Sequence, residues 1–164
     1  MPSKRTQPSH RSLLRHTVAT LAYRGSKALR GAPSTFAEFH AGDTTRTPAQ
    51  ILAHVGDLLD WALSLARGKQ KWHNSDPVSW EQDSKRFFTA LQAFDAYLAS
   101  NKPLGCSAEK LFQGPVADSL THIGQLSMLR RLAGTPVRGE NYLQAKIAVG
   151  VVGAKQAAPK FEFD

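Results

Sequence analysis

Four stretches of this chain carry apolar residues at helical spacing between explicit start and stop signals, and that punctuation constrains the fold more than any other feature. The clearest start is Thr47-Pro48-Ala49-Gln50. It combines a capping threonine, a proline at the first helical position and a glutamine able to reach back to the cap. Ile51, Val55, Leu58, Ala62 and Leu65 follow on one face, and Gly68 closes the segment. Ser79-Trp80-Glu81-Gln82 reads as a second capping box, opening a helix with Phe87, Leu91, Phe94 and Leu98 inward and Asn101 and Pro103 behind it. Upstream, Leu14, Val18, Leu21, Ala22, Gly25, Ala28 and Leu29 recur at helical spacing before Gly31 and Pro33. Downstream, Gly114-Pro115 starts a segment that ends at Gly134, with Pro136 beyond. The predicted helices cover about 11–30, 47–67, 80–100 and 115–133.

Four amphipathic helices joined by short or moderate loops predict an all-α fold, a four-helix bundle over residues 10–134. Residues 1–9, with Pro2, Ser3, Pro8 and Ser9, are expected to form a loose basic tail. The segment 32–46 reads as a loop with Phe36 and Phe39 tucked inward. Residues 135–164 hold no helical block. "KIAVGVV" has strand character but no obvious partner, so this part is expected to wrap the bundle in extended form, anchored by Tyr142, Val149 and Phe161.

At 164 residues the chain has the length of one domain with a sizeable core. With 41% hydrophobic and 21% charged residues it has the composition of a globular protein, and no stretch is apolar for the length a bilayer requires. A single cysteine, Cys106, excludes an internal disulfide and fits a reducing compartment. With no signal-peptide pattern at the N-terminus, the expected location is cytoplasmic. The net charge of +8 is concentrated: Lys4, Arg5, Arg11, Arg15, Arg24, Lys27 and Arg30 all precede the first acid, Glu38. No helix-turn-helix, zinc-finger or aromatic RNA-reading motif accompanies these cations, so no specific nucleic-acid partner is expected.

The chemistry-bearing pattern lies in "ADSLTHIGQLSMLRRLAG", residues 117–134. Asp118, His122, Gln125, Leu129 and Leu132 are spaced i, i+4, i+7, i+11, i+14 and share one helix face. A stripe that ends in leucines is expected to point into the bundle, where a carboxylate, an imidazole and an amide need a common purpose. Asp118 and His122 project together and are suitable ligands for Zn, Fe, Mn or Ni. A third ligand must come from another helix, and His54, beside the apolar stripe of the second helix, can supply it. Gln125 could orient a ligand from behind. A plain Asp118–His122 hydrogen bond explains the same residues without a metal, and spacing alone does not choose between the two.

Other candidates are weaker. His10, His16 and His40 read as surface residues, and His73, next to Trp72, as a loop residue near a pocket mouth. Ser119, Thr121 and Ser127 have no triad partner in any recognisable motif, and Cys106 has no neighbouring base and reads as an inert small side chain. No phosphate-cradling glycine motif is present.

At two helices the sequence becomes familiar. "TPAQILAHVGDLLDW" (47–61) resembles the second helix of DinB-like (DinB/YfiT-like) proteins, where a histidine in an "LAH-x-x-D" setting is a metal ligand. "SLTHIGQLSMLRRLAG" (119–134) resembles that family's fourth helix, whose pattern is H-x-x-x-H-x-G-Q followed by an arginine. His122-Ile123-Gly124-Gln125 matches the second half of that pattern, and Asp118 stands where the family has its other histidine. The resemblance spans roughly residues 10–135 and implies a metal-binding four-helix bundle, often a homodimer, with His54, Asp118 and His122 as ligands. It also implies a divalent metal (Zn or Ni, with Fe or Mn as alternatives) and a low-molecular-weight thiol used in S-transfer or isomerisation of a small-molecule substrate. Trp61 and Gln125 are the expected cofactor-binding residues, with Trp72 or Tyr142 completing an apolar pocket. A non-catalytic helical ligand-binding or interaction protein with a decayed metal site is the alternative, because enzyme activity does not follow from the fold.

Overall fold

A computed structural model describes residues 9–163. The basic tail expected over residues 1–9 lies, except for Ser9, outside the described residues. The described residues are mostly helical, as an all-α fold requires, with four helices of 16–20 residues: α1 (His10–Leu29), α2 (Pro48–Ala66), α3 (Trp80–Ala99) and α5 (Ala117–Leu132). A single turn, α4 (Ala108–Leu111), precedes α5. No helix is long and apolar enough to cross a membrane among the described residues.

The helix boundaries follow from local hydrogen bonding. At the start of α2, Thr47 Oγ1 accepts from the Gln50 backbone N–H (3.2 Å), and the Thr47 N–H donates to Gln50 Oε1 (2.9 Å), a complete capping box. The box expected at Ser79 is half formed. Ser79 Oγ accepts from Gln82 N–H at 3.1 Å, but no Gln82 side-chain bond returns, and Asp83 instead takes the Val78 N–H at 3.0 Å. Gly31, Gly68 and Gly134 end α1, α2 and α5 at φ between +68° and +76°, the left-handed region that glycine enters without a Cβ penalty.

Gly114-Pro115 does not begin α5. The chain enters it from α4 through a wide π turn over Phe112–Val116, kinked at Gly114 (φ −86°, ψ −105°). Proline supplies no N–H to the helical ladder, which is the usual cause of such a break. The cap that starts this unit is Ser107, whose hydroxyl accepts from Lys110 N–H at 3.3 Å.

Helix α2 packs on α3 and α5, and α1 packs on the same two helices. The core between them contains Val18, Leu21, Leu52, Val55, Leu59, Phe87, Leu91, Phe94, Leu98 and Leu126, all fully or almost fully buried. Gly25 of α1 leaves the space that the tip of the Phe87 ring occupies, so a methyl group there would overlap it. Phe36 is 1% exposed, in a short 3-10 turn (Ser34–Glu38), and packs edge-on against Trp80 at 5.3 Å. Arg130 is 5% exposed. Its guanidinium donates to the carbonyls of Ala28 (3.0 Å), Arg30 (3.1 Å) and Gly31 (3.4 Å), so it closes the orphaned C-terminal end of α1.

The C-terminal segment is held mainly by polar contacts. Two-residue strands β1 (Gly139–Glu140) and β2 (Glu162–Phe163) pair antiparallel. Glu140, with its side chain fully buried, accepts from Tyr23 Oη (2.6 Å) and Lys27 Nζ (2.8 Å) of α1, and Lys27 also reaches Glu162 (2.8 Å). Of the three expected anchors, Tyr142 packs edge-on against Tyr23 (6.3 Å) and under Arg24 (3.9 Å). Val149 and Phe161 are 43% and 50% exposed; Val152, at 5%, is the buried apolar anchor. A buried carboxylate with two donors fixes the segment where aromatic burial was expected, because Tyr23 and Lys27 present those donors on one face of α1.

Candidate metal centre

His54 of α2 and Asp118 and His122 of α5 converge, one potential ligand atom from each lying within 4.8 Å of the others. His122 Nε2 is 3.5 Å from Asp118 Oδ1, and His54 Nε2 is 3.9 Å from Asp118 Oδ2. The two imidazoles stand perpendicular with centroids 4.9 Å apart. Three ligands around an ion at about 2.1 Å in tetrahedral arrangement are spaced by about 3.4 Å. The Asp118–His122 and Asp118–His54 separations of 3.5 and 3.9 Å are close to that spacing. Neither Asp–His distance is that of a hydrogen bond, so the metal-free alternative, a local Asp118–His122 hydrogen bond, is not formed.

The hydrogen bond that His122 does make is to Gln125, with Nδ1 2.8 Å from Oε1. With the amide oxygen of Gln125 as acceptor the ring donates from Nδ1, and Nε2 is the nitrogen turned toward Asp118. Burial, and after it the neighbouring His122 and Arg46, push the His54 imidazole below the usual histidine range. His54 is therefore neutral at neutral pH, the form that binds metals. Asp118 is half exposed while His54 and His122 are largely covered, so the set is open on the carboxylate side.

The polar part of the stripe that carries these residues does not point into the core. The face of α5 turned inward is Ser119, Ile123, Leu126 and Leu129, whereas Leu132 is 58% exposed and Gln125 is exposed. Asp118, His122 and Gln125 lie at the rim between α2 and α5. An open groove of about 520 Å³ starts there and runs past Ile51, Met128, Leu129 and Leu132, with Thr45 and Arg46 on the opposite bank.

Aromatic rings continue the site on the other side. Trp72 packs edge-on against His54 (5.8 Å) and against Trp61 (5.7 Å). Trp61 lines a separate pocket of about 450 Å³ with Cys106, Lys69, Lys110 and the Gly114 kink, so it meets the ligand set through Trp72 and not through the groove beside His122. Its indole Nε1 is buried without a hydrogen-bond partner. Burial holds the Cys106 thiol above its ordinary range despite Lys110, which leaves it a poor nucleophile at neutral pH. Tyr142 has no part here, being engaged on α1.

A second cluster ties down the segment that follows Trp72, and sequence reading missed it. Asp57, 2% exposed, accepts from the Ser75 N–H (2.8 Å), the Ser75 hydroxyl (2.7 Å) and Arg86 (2.7 Å). Arg86 also donates to Asp60 (2.7 Å), and His73 Nε2 lies 3.1 Å from Asp57 Oδ1. Burial opposes ionisation of Asp57, but Arg86 and the two Ser75 donors outweigh it and hold the carboxyl below its ordinary range. The Arg86 guanidinium lies over Gly56, where a side chain would displace it. The aspartate three residues after His54 thus ties down the 72–75 segment, and His73 belongs to this clamp. The available signal was Asp57 in the row of Gln50, His54 and Trp61, the aspartate of the LAH-x-x-D setting.

Compared with known proteins, the chain matches no family model, and no curated protein or solved structure is significantly similar to it.

Proposed function

We propose that the chain is a divalent-metal protein of the DinB-like kind, a four-helix bundle whose centre is formed by His54, Asp118 and His122. The observation that carries this reading is the convergence of three donors from two helices that make no hydrogen bond with one another, one of them oriented by Gln125. Two imidazoles and one carboxylate suit zinc or nickel and leave coordination positions free. When bound, such an ion favours the deprotonated form of a thiol or water that it coordinates. The chain's own part is to hold His122 by Gln125, to keep His54 unprotonated by burial, and to shield one side with Trp72 and Trp61. A thiol-dependent transfer or isomerisation is the activity that this arrangement serves best, with a low-molecular-weight thiol as cosubstrate.

Elemental analysis of untagged protein after exposure to Zn, Ni, Mn and Fe tests it. About one equivalent of metal per chain is expected, abolished in His122→Ala with helical circular dichroism retained, because the core stripes remain. Wild-type protein that stays metal-free overturns the reading. In the cobalt-loaded protein, a small thiol should add a sulfur-to-metal charge-transfer band; its absence removes the thiol-dependent activity while leaving the metal site.

A further inference from the structure

The groove beside the ligand set has a single full charge on its walls, Arg46. Two locked stretches of backbone place it. On one side Thr45 Oγ1 donates to the Gly42 carbonyl (2.8 Å) and accepts from the Gly42 N–H (3.1 Å). On the other, Thr47 is fixed by its capping box with Gln50. Arg46 itself is exposed and makes no ion pair or side-chain hydrogen bond among the described residues, yet it is near enough to His54 to lower that ring's proton affinity. The cations that sit within the fold's buried polar clusters differ from it in having an acid or a carbonyl to meet: Arg15 meets Asp95, Lys27 meets Glu140, Arg86 meets Asp57 and Arg130 meets the end of α1. Beyond Arg46 the groove is apolar, with Ile51 on one side and Met128, Leu129 and Leu132 on the other. From His122 to Leu132 it follows α5 for about 15 Å.

We infer that this groove binds a small amphipathic carboxylate, its head on the Arg46 guanidinium and a straight apolar body of roughly six to eight carbons along Met128 and Leu129. A guanidinium fork matches a carboxylate with two parallel hydrogen bonds, and an unpaired one beside an apolar wall recognises that combination of groups. Charge balance points the same way, in a step that rests on the metal reading. The ligand set offers one carboxylate against a divalent ion and Arg46, so this end of the groove is net positive by two, of which a carboxylate from outside neutralises one. The substrate class assigned to the centre is therefore an acyl carboxylate whose far end projects along the groove.

Octanoate is the probe, with octanol and octylammonium as isosteric controls, followed by amide chemical shifts and titration calorimetry on metal-loaded and metal-free protein. The expected result is octanoate binding in both forms, with shifts confined to residues 41–51 and 122–132, and at least tenfold weaker binding of both controls. Arg46→Gln should reduce octanoate affinity at least tenfold and leave octanol unchanged. Equal affinity for octanoate and octanol, indifference to Arg46→Gln, or shifts centred on the other apolar groove near Leu13 and Phe112 would overturn the inference. Octanoate binding seen only with metal present also overturns it, because the metal and not Arg46 would then hold the head, and the metal reading would stand. Octanoate binding through Arg46 in a protein that takes up no metal leaves the groove assignment in place while the metal reading falls.

Discussion

Removing the Asp57 carboxylate should loosen the wall of the candidate site before it unfolds the protein. In Asp57→Ala the Ser75 N–H and hydroxyl and one Arg86 N–H lose an acceptor that is 2% exposed. Breaking a buried charge pair by deleting one partner costs about 3–5 kcal/mol when the other charge is stranded. Arg86 is not stranded here, because it keeps Asp60 at 2.7 Å and the Ala53 carbonyl at 3.3 Å. The Ser75 donors can also turn to water, so the lower end, about 3 kcal/mol, is expected. For a chain of this size that lowers Tm by roughly 6–12 °C. The same change should release Trp72 from His54 and Trp61, read as a red shift and greater quenching of tryptophan emission at temperatures where the helical signal is unchanged. Acid titration gives an independent check. Because the folded-state carboxyl lies below its unfolded value of about 3.9, its contribution is complete above that pH and is lost as pH falls through the folded value. Asp57→Asn should therefore be less stable than wild type at pH 7, with the gap narrowing below about pH 4. A Tm loss under about 3 °C together with unchanged emission would refute the clamp.

Gly25→Ala places a methyl group on the Phe87 ring, and overpacking of about 1–3 kcal/mol should outweigh the gain in helix propensity; an unchanged or higher Tm would contradict this. His54 is held below the usual histidine range, so the metal-free fold binds fewer protons there than the unfolded chain and loses stability as pH drops below about 6.5. His54→Gln should flatten that part of the profile, and identical urea-unfolding profiles between about pH 5 and 7 would show that His54 does not titrate with folding.

Helix starts and stops were legible because they are made within four residues of chain. The Thr47–Gln50 box and the glycines after α1, α2 and α5 are local hydrogen-bond and backbone events that need no neighbour. The same holds for Asp118 and His122, which share a helix face whatever surrounds them. What lies against a face is not local. Leu132 ends exposed and Arg130 buried, although periodicity favours the leucine, because the orphaned carbonyls at the end of α1 sit where the guanidinium can meet them. The stripe of Asp118, His122 and Gln125 is accordingly a rim and not a core face. His73 and Asp57 acquired their roles only when α2, the 72–75 segment and α3 came together around Arg86, and Glu140 displaced apolar anchors once Tyr23 and Lys27 were aligned to meet it. Sequence by itself thus set most helix ends, though not the kinked entry into α5, and which polar side chains travel together. Tertiary structure alone decided which of them are buried, because desolvation and hydrogen-bond satisfaction depend on partners a hundred residues away.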